Sequence, residues 1–112
     1  MDNELIINIG DKILRFKLKS QIIILLEKVY GKNIFEIFQD LSFTSISRIF
    51  WESLVDKTEF MDANELMDLL LTEKSLIELG NNELQQLAVK SGILKTSDLE
   101  SKDESLEEIK ND

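Results

Sequence analysis

The apolar repeat of this chain changes once, at Leu18, and does not change back. Before that point Leu5-Ile6-Ile7-Asn8-Ile9 and Lys12 to Leu18 flank Gly10-Asp11, a two-residue pair that favours a tight hairpin turn. In the second run Leu14, Phe16 and Leu18 alternate with Arg15, Lys17 and Lys19. That period of two puts one face into a core and the other into water. A two-stranded ribbon is marginal alone, so something must cover its apolar face. The basic face of Arg15, Lys17 and Lys19 reads either as a solvated edge protected by lysine or as a binding strip.

The cover comes from the sequence beyond Leu18, where the spacing is helical. Ser20 is placed to cap a helix carrying Ile22, Leu25, Leu26, Val29 and Tyr30, with Gly31 as its stop. Ile34, Ile37, Phe38 and Leu41 form the next stripe, after Asn33. A third helix is expected from near Thr44 or Ser45, with Ile46, Ile49, Phe50 and Leu54. Asp62-Ala63-Asn64-Glu65 has the form of a capping box and opens a helix through Leu66, Met67, Leu69, Leu70 and Leu71. A short helical stretch around Ser75 to Leu79 is expected to stop at Gly80. Asn82 then starts a last helix, with Leu84, Leu87 and Ala88 on one side and Gly92 as its end. No proline interrupts any of this. The expected fold class is α+β, mainly α, with an N-terminal two-stranded β-hairpin packed on a bundle of about four to six short helices.

Length and composition set the organisation. The 112 residues suit one core, and an apolar content of 43% argues against disorder over the whole length. We expect a single hairpin-plus-helices domain over residues 3–94. Residues 95–112 hold three Lys against seven Asp and Glu, with only Leu99, Leu106 and Ile109 as large apolar groups. Such a segment buries too little to offset its ordering entropy, so an acidic, disordered tail is expected there. Leu106 and Ile109 sit three apart, which suits a short helix formed on a partner. The net charge of −9 argues against nucleic acid and anionic membranes as partners. No apolar run approaches the ~20 residues of a membrane span. Met1-Asp2-Asn3-Glu4 does not open a secretory signal, and the absence of cysteine suits a cytoplasmic protein.

The chain is poor in chemistry. It has no His and no Cys, so only carboxylates remain for hard cations. Asp98, Asp103 and Glu104 lack the alternation and central glycine of a calcium loop. The four glycines read as turns and helix stops rather than a phosphate cradle. No catalytic residue, cofactor or metal site is expected, and the reading is a non-enzymatic interaction protein. Ile24 lies about 160–200° from the stripe through Ile22 and Leu26. The first helix is therefore either buried between hairpin and later helices, or a contact surface that includes Ile23 and Ile24. Trp51 and Val55 share a second face of the third helix, and Phe43 and Phe60 flank it. Aromatic residues serve both interface hot spots and small cores. With Met67, these residues form the candidate partner-binding set.

The order of the pieces carries a resemblance. A hairpin ends in Arg15-Phe16-Lys17-Leu18, and a helix ends in Leu25-Leu26-Glu27-Lys28-Val29-Tyr30-Gly31-Lys32-Asn33. Ile34-Phe35-Glu36-Ile37-Phe38 follows, then Ser47-Arg48-Ile49-Phe50-Trp51-Glu52-Ser53-Leu54 and the helix from Asp62 to Leu71. Over about residues 4–92 this resembles the tail assembly chaperones of long-tailed phages, prophages and gene transfer agents. The resemblance implies a non-structural assembly factor in the bacterial cytoplasm, absent from the mature virion. Its partners would be the tape measure protein, which it keeps soluble, and the tail tube protein, whose subunits it helps recruit. Homo-oligomerisation is also implied, with no cofactor and no catalytic residue. Many such chaperones are made in two lengths by ribosomal frameshifting, and Lys110-Asn111 is a dipeptide that slippery codons encode, although Lys32-Asn33 repeats it. The competing reading is an acidic adaptor or inhibitor whose tail engages a basic protein.

Overall fold

Gly10 and Asp11 make the expected turn. In the computed structural model, which describes residues 3–40 and 42–95, β1 (Leu5–Ile9) pairs antiparallel with β2 (Lys12–Phe16). Ile9 lies opposite Lys12, so the loop is two residues long. Gly10 has φ of 61° and Asp11 does not enter the left-handed region, a pattern that matches the twist of the strands. The Gly10 N–H donates to Glu73 Oε2 at 2.7 Å, which ties the turn to a residue 63 positions away in sequence. Leu5, Ile7, Ile9, Leu14, Phe16 and Leu18 are buried, and Ile6, Asn8, Ile13 and Arg15 face outward.

The edge of β2 is covered rather than bare. Phe16 bridges Leu54, the Lys17 N–H donates to the Ser53 carbonyl at 2.8 Å, and the Val55 N–H donates to the Arg15 carbonyl at 2.9 Å. A short third strand segment therefore lies along β2, and the edge-protecting role expected of the lysines falls to this pairing instead.

Five helical segments wrap the inner face of the ribbon. α1 (Ser20–Tyr30) is capped at Lys19 without a side-chain hydrogen bond, so Ser20 is the first helical residue and not the cap. It stops at Gly31, whose φ of 64° is left-handed as expected. α2 (Ile34–Gln39) opens with a capping box of Asn33 and Glu36. α3 (Phe43–Ser53) starts slightly earlier than its apolar stripe, because Ser42 accepts from the Ser45 N–H at 3.2 Å. α4 (Ala63–Leu70) is capped by Asp62, as its sequence predicts. Gly80 does not end a helix. α5 (Leu76–Glu78) runs through a wider π turn, Leu79–Glu83, directly into α6 (Leu84–Lys90). Gly80 is buried inside that turn, and Asn82 begins nothing.

One core joins both halves. Phe16 meets Phe50 edge to face, with ring centroids 5.3 Å apart, and both are fully buried. Around them sit Leu26, Ile37, Ile46, Ile49, Leu66, Met67, Leu70, Leu79, Leu84 and Leu87. The fold is thus α+β and mainly α, with the hairpin at its N-terminus. Leu41 and the tail beyond Lys95 lie outside the described residues.

Candidate functional site

Apolar side chains that the core does not absorb define the candidate surface. α1 reads Ser-Gln-Ile-Ile-Ile-Leu-Leu-Glu-Lys-Val-Tyr, yet only Leu26 is fully buried. Ile22, Ile23 and Tyr30 pack partly against the core on the same side. At about 100° per residue, Leu25 and Val29 fall on one flank and Ile24 on the opposite side from Leu26. Ile24 is 53% exposed, Val29 49% and Leu25 38%. The helix is therefore not buried between the hairpin and later helices. It packs on α2 and α3 along one side, leaves Leu25 and Val29 partly exposed on a flank, and holds Ile24 outward among Ser20, Gln21, Glu27 and Lys28.

Neighbouring elements extend this apolar exposure. Phe35 of α2 is half exposed, while Ile34, Ile37 and Phe38 turn inward. Phe43, in the first turn of α3, lines a groove of about 270 Å³ with Tyr30, Thr44, Ser47, Arg48, Ala63 and Asn64. This groove lies where the end of α1 meets the starts of α3 and α4. Its cation, Arg48, has Nε 3.2 Å from Glu52 Oε2 one turn along α3.

A second surface lies on the outer face of the ribbon. Leu54 pairs with Phe16 and points inward, so Val55 falls beside Arg15 and points outward. Ile6, Ile13 and Val55 are all exposed there. At the rim, Phe60 packs partly on the core and joins Ile13, Leu14, Arg15, Leu54, Asp56 and Glu59 around a smaller depression of about 150 Å³.

The candidate residues thus separate into places rather than one site. Ile24 and half-buried Ile23 lie on α1, and Phe43 lies in the adjoining groove. Val55 and Phe60 belong to the ribbon side. Val55 is not on the face of the third helix, because α3 ends at Ser53 and Leu54 turns the chain into the bridge with β2. Trp51 packs partly on the core and carries Lys57 Nζ 5.7 Å from its ring centroid, a cation–π arrangement. Met67 is fully buried beside Leu66 and Leu70, since the apolar stripe of α4 faces α3. It is a core residue and cannot touch a partner. Leu25, Val29, Phe35, Ile6 and Ile13 were missed. Their signal was present for the strands, where Ile6 and Ile13 fall out of phase with the inward set.

The electrostatics of this region are local. The Asp40 carboxylate accepts from Ser45 Oγ at 3.0 Å and from the Ser42 N–H at 3.2 Å, bonds that hold its pKa below the usual value. Asp56 is lowered in the same way by the Thr58 hydroxyl and N–H. Among the described residues no three carboxylates gather as a metal site, and no helix is long and apolar enough to cross a membrane. The chain matches no protein-family model, no curated protein and no solved structure.

Proposed function

We propose that this chain is a non-catalytic assembly chaperone of the phage tail type, which covers the apolar helices of a tape measure protein and helps bring tail tube subunits to it. It would act in the cytoplasm of the bacterial host and be absent from the finished particle. The observation that supports this most is α1, which leaves Ile24, Leu25 and Val29 exposed while only Leu26 is fully buried. A helix left this apolar on its outer side costs solubility unless something uses it. An amphipathic helix from a partner is the natural occupant, since it pairs its own apolar stripe with Ile24, Leu25 and Val29. The net charge of −9 then keeps the complex from associating further.

Co-expression with the longest helical, tape-measure-like product of the neighbouring genes tests this. The unaltered chain should bring that product into the soluble fraction and co-purify with it. Ile24→Asp with Val29→Asp, both at exposed positions, should abolish co-purification without lowering the melting temperature. A product that stays insoluble beside the unaltered chain overturns the proposal. Binding that survives the double substitution but disappears at high salt overturns it in favour of the acidic adaptor, whose tail would carry the affinity.

A further inference from the structure

Two consecutive residues after α4 hold two different elements. Glu73 Oε2 accepts from the Gly10 N–H at 2.7 Å, in the hairpin turn. Lys74 Nζ lies 3.2 Å from Glu83 Oε1, and Glu83 belongs to the π turn. The backbone that carries both side chains is fixed as one piece, because the N–H groups of Glu73 and Lys74 close on the same Leu70 carbonyl, at 3.3 and 3.1 Å. A displacement of either side chain's anchor is therefore felt by the other.

The two contacts differ in strength. Glu73 is exposed, so water competes for its carboxylate and the bond to Gly10 contributes little alone. Glu83 keeps only 8% of its side chain exposed, and Lys74 only 26%. Asn82 Nδ2 donates to the same Glu83 Oε1 at 3.1 Å. A buried pair of this kind adds little net stability while intact, but breaking it strands a desolvated charge. Lys74 is thus held more firmly than an exposed lysine, and its release requires Glu83 to move outward as well. Because Glu83 lies within the π turn, that movement breaks the bond from the Leu84 N–H to the Leu79 carbonyl.

We propose that Glu73 and Lys74 form a latch that makes the hairpin turn and the π turn open as one unit, in a single partial unfolding event rather than two local ones. None of its residues lies on α1, so the latch is independent of what that helix binds. Whatever takes the place of Glu73 at the Gly10 turn loosens the junction of α5 and α6, and whatever draws Glu83 outward frees the hairpin turn.

Native-state hydrogen exchange on the full-length chain tests this. Glu73→Ala should speed exchange of the Leu84 N–H by about tenfold, although Glu73 does not touch the π turn. Glu83→Gln should speed exchange of the Gly10 N–H by a similar factor. The Leu54 N–H, bonded to the Phe50 carbonyl at 3.0 Å, reports opening of the whole fold and should be unaffected in both. Combining the two substitutions should add little to either alone, since the second acts on a latch already open. Acceleration confined to the substituted side overturns the proposal. So does equal acceleration at Leu54, which would mark a general loss of stability, and so does a double variant in which the two effects multiply. Glu73→Ala alters only an exposed side chain, so the Leu84 reading decides the matter even where Glu83→Gln does not fold.

Discussion

α1 and the α4–α6 region are both rich in apolar residues, yet they bury very different shares of them, although Ile77 of α5 and Leu71 are exposed too. Leu66, Met67, Leu70, Leu79, Leu84, Leu87 and Ala88 all disappear completely into the core. α1 contributes Leu26 alone to that class, and leaves Ile24, Leu25 and Val29 exposed. The difference is one of neighbours rather than composition. α4 faces α3, and α6 packs under β1. Among the described residues α1 packs chiefly on α2 and α3, and Ile24 on its other side is exposed. Apolar content beyond what packing requires is therefore the part of this sequence that points outward to function.

The largest test of this contrast sets Met67 against Ile24. Met67→Ala should cost about 2–5 kcal/mol in chemical denaturation, since it opens a cavity at a fully buried site. Ile24→Ser should stay within about 0.5 kcal/mol. Equal losses at both positions would break the comparison, because α1 would then be supported by contacts as extensive as those of α4. Gly31→Ala is expected to come next, at about 1 kcal/mol, measured the same way. Its φ of 64° disfavours any side chain, while nothing lies near the added methyl, so the cost belongs to the backbone alone. A larger loss would mean that the stop of α1 positions more of the fold than its own helix.

The smallest effect concerns acid. Asp40 joins α2 to α3 through Ser42 and Ser45, and its pKa in the folded chain lies below its ordinary value. Folded-state lowering makes its contribution present above the ordinary carboxylate range and lost as pH falls through the folded value. Asp40→Asn should therefore lower stability slightly at neutral pH, leave it nearly unchanged below the folded value, and so flatten the acid limb of a stability–pH profile. An unaltered profile would show that the junction beside α1 is held by packing alone.

Legibility followed distance along the chain. The Gly10 turn, the stop at Gly31 and the Asp62 cap were readable because each depends on a few adjacent residues. The Asn33–Glu36 and Ser75–Glu78 boxes are equally local and were open to the same reading. What failed was non-local. The pairing of Leu54 with Phe16 joins residues far apart in sequence, and it moved Val55 from a helix to a strand segment. Burial of Met67 and exposure of Ile24 depend on which helix happens to face which. Periodicity marks an apolar side but does not say whether a neighbour covers it.

The π turn at Leu79–Glu83 fixes the phase of everything after it. An ordinary helix through this stretch would turn Leu84, Leu87 and Ala88 about 100° away from Leu76 and Leu79, splitting one apolar stripe into two. The wider turn, closed by the Leu84 N–H on the Leu79 carbonyl, takes up one surplus residue and brings the halves back into line. Glu83, pulled inward with it, is met by Lys74 at 3.2 Å. The turn thus holds one residue more than an ordinary helix of the same phase needs, and α6 keeps its apolar side in the core.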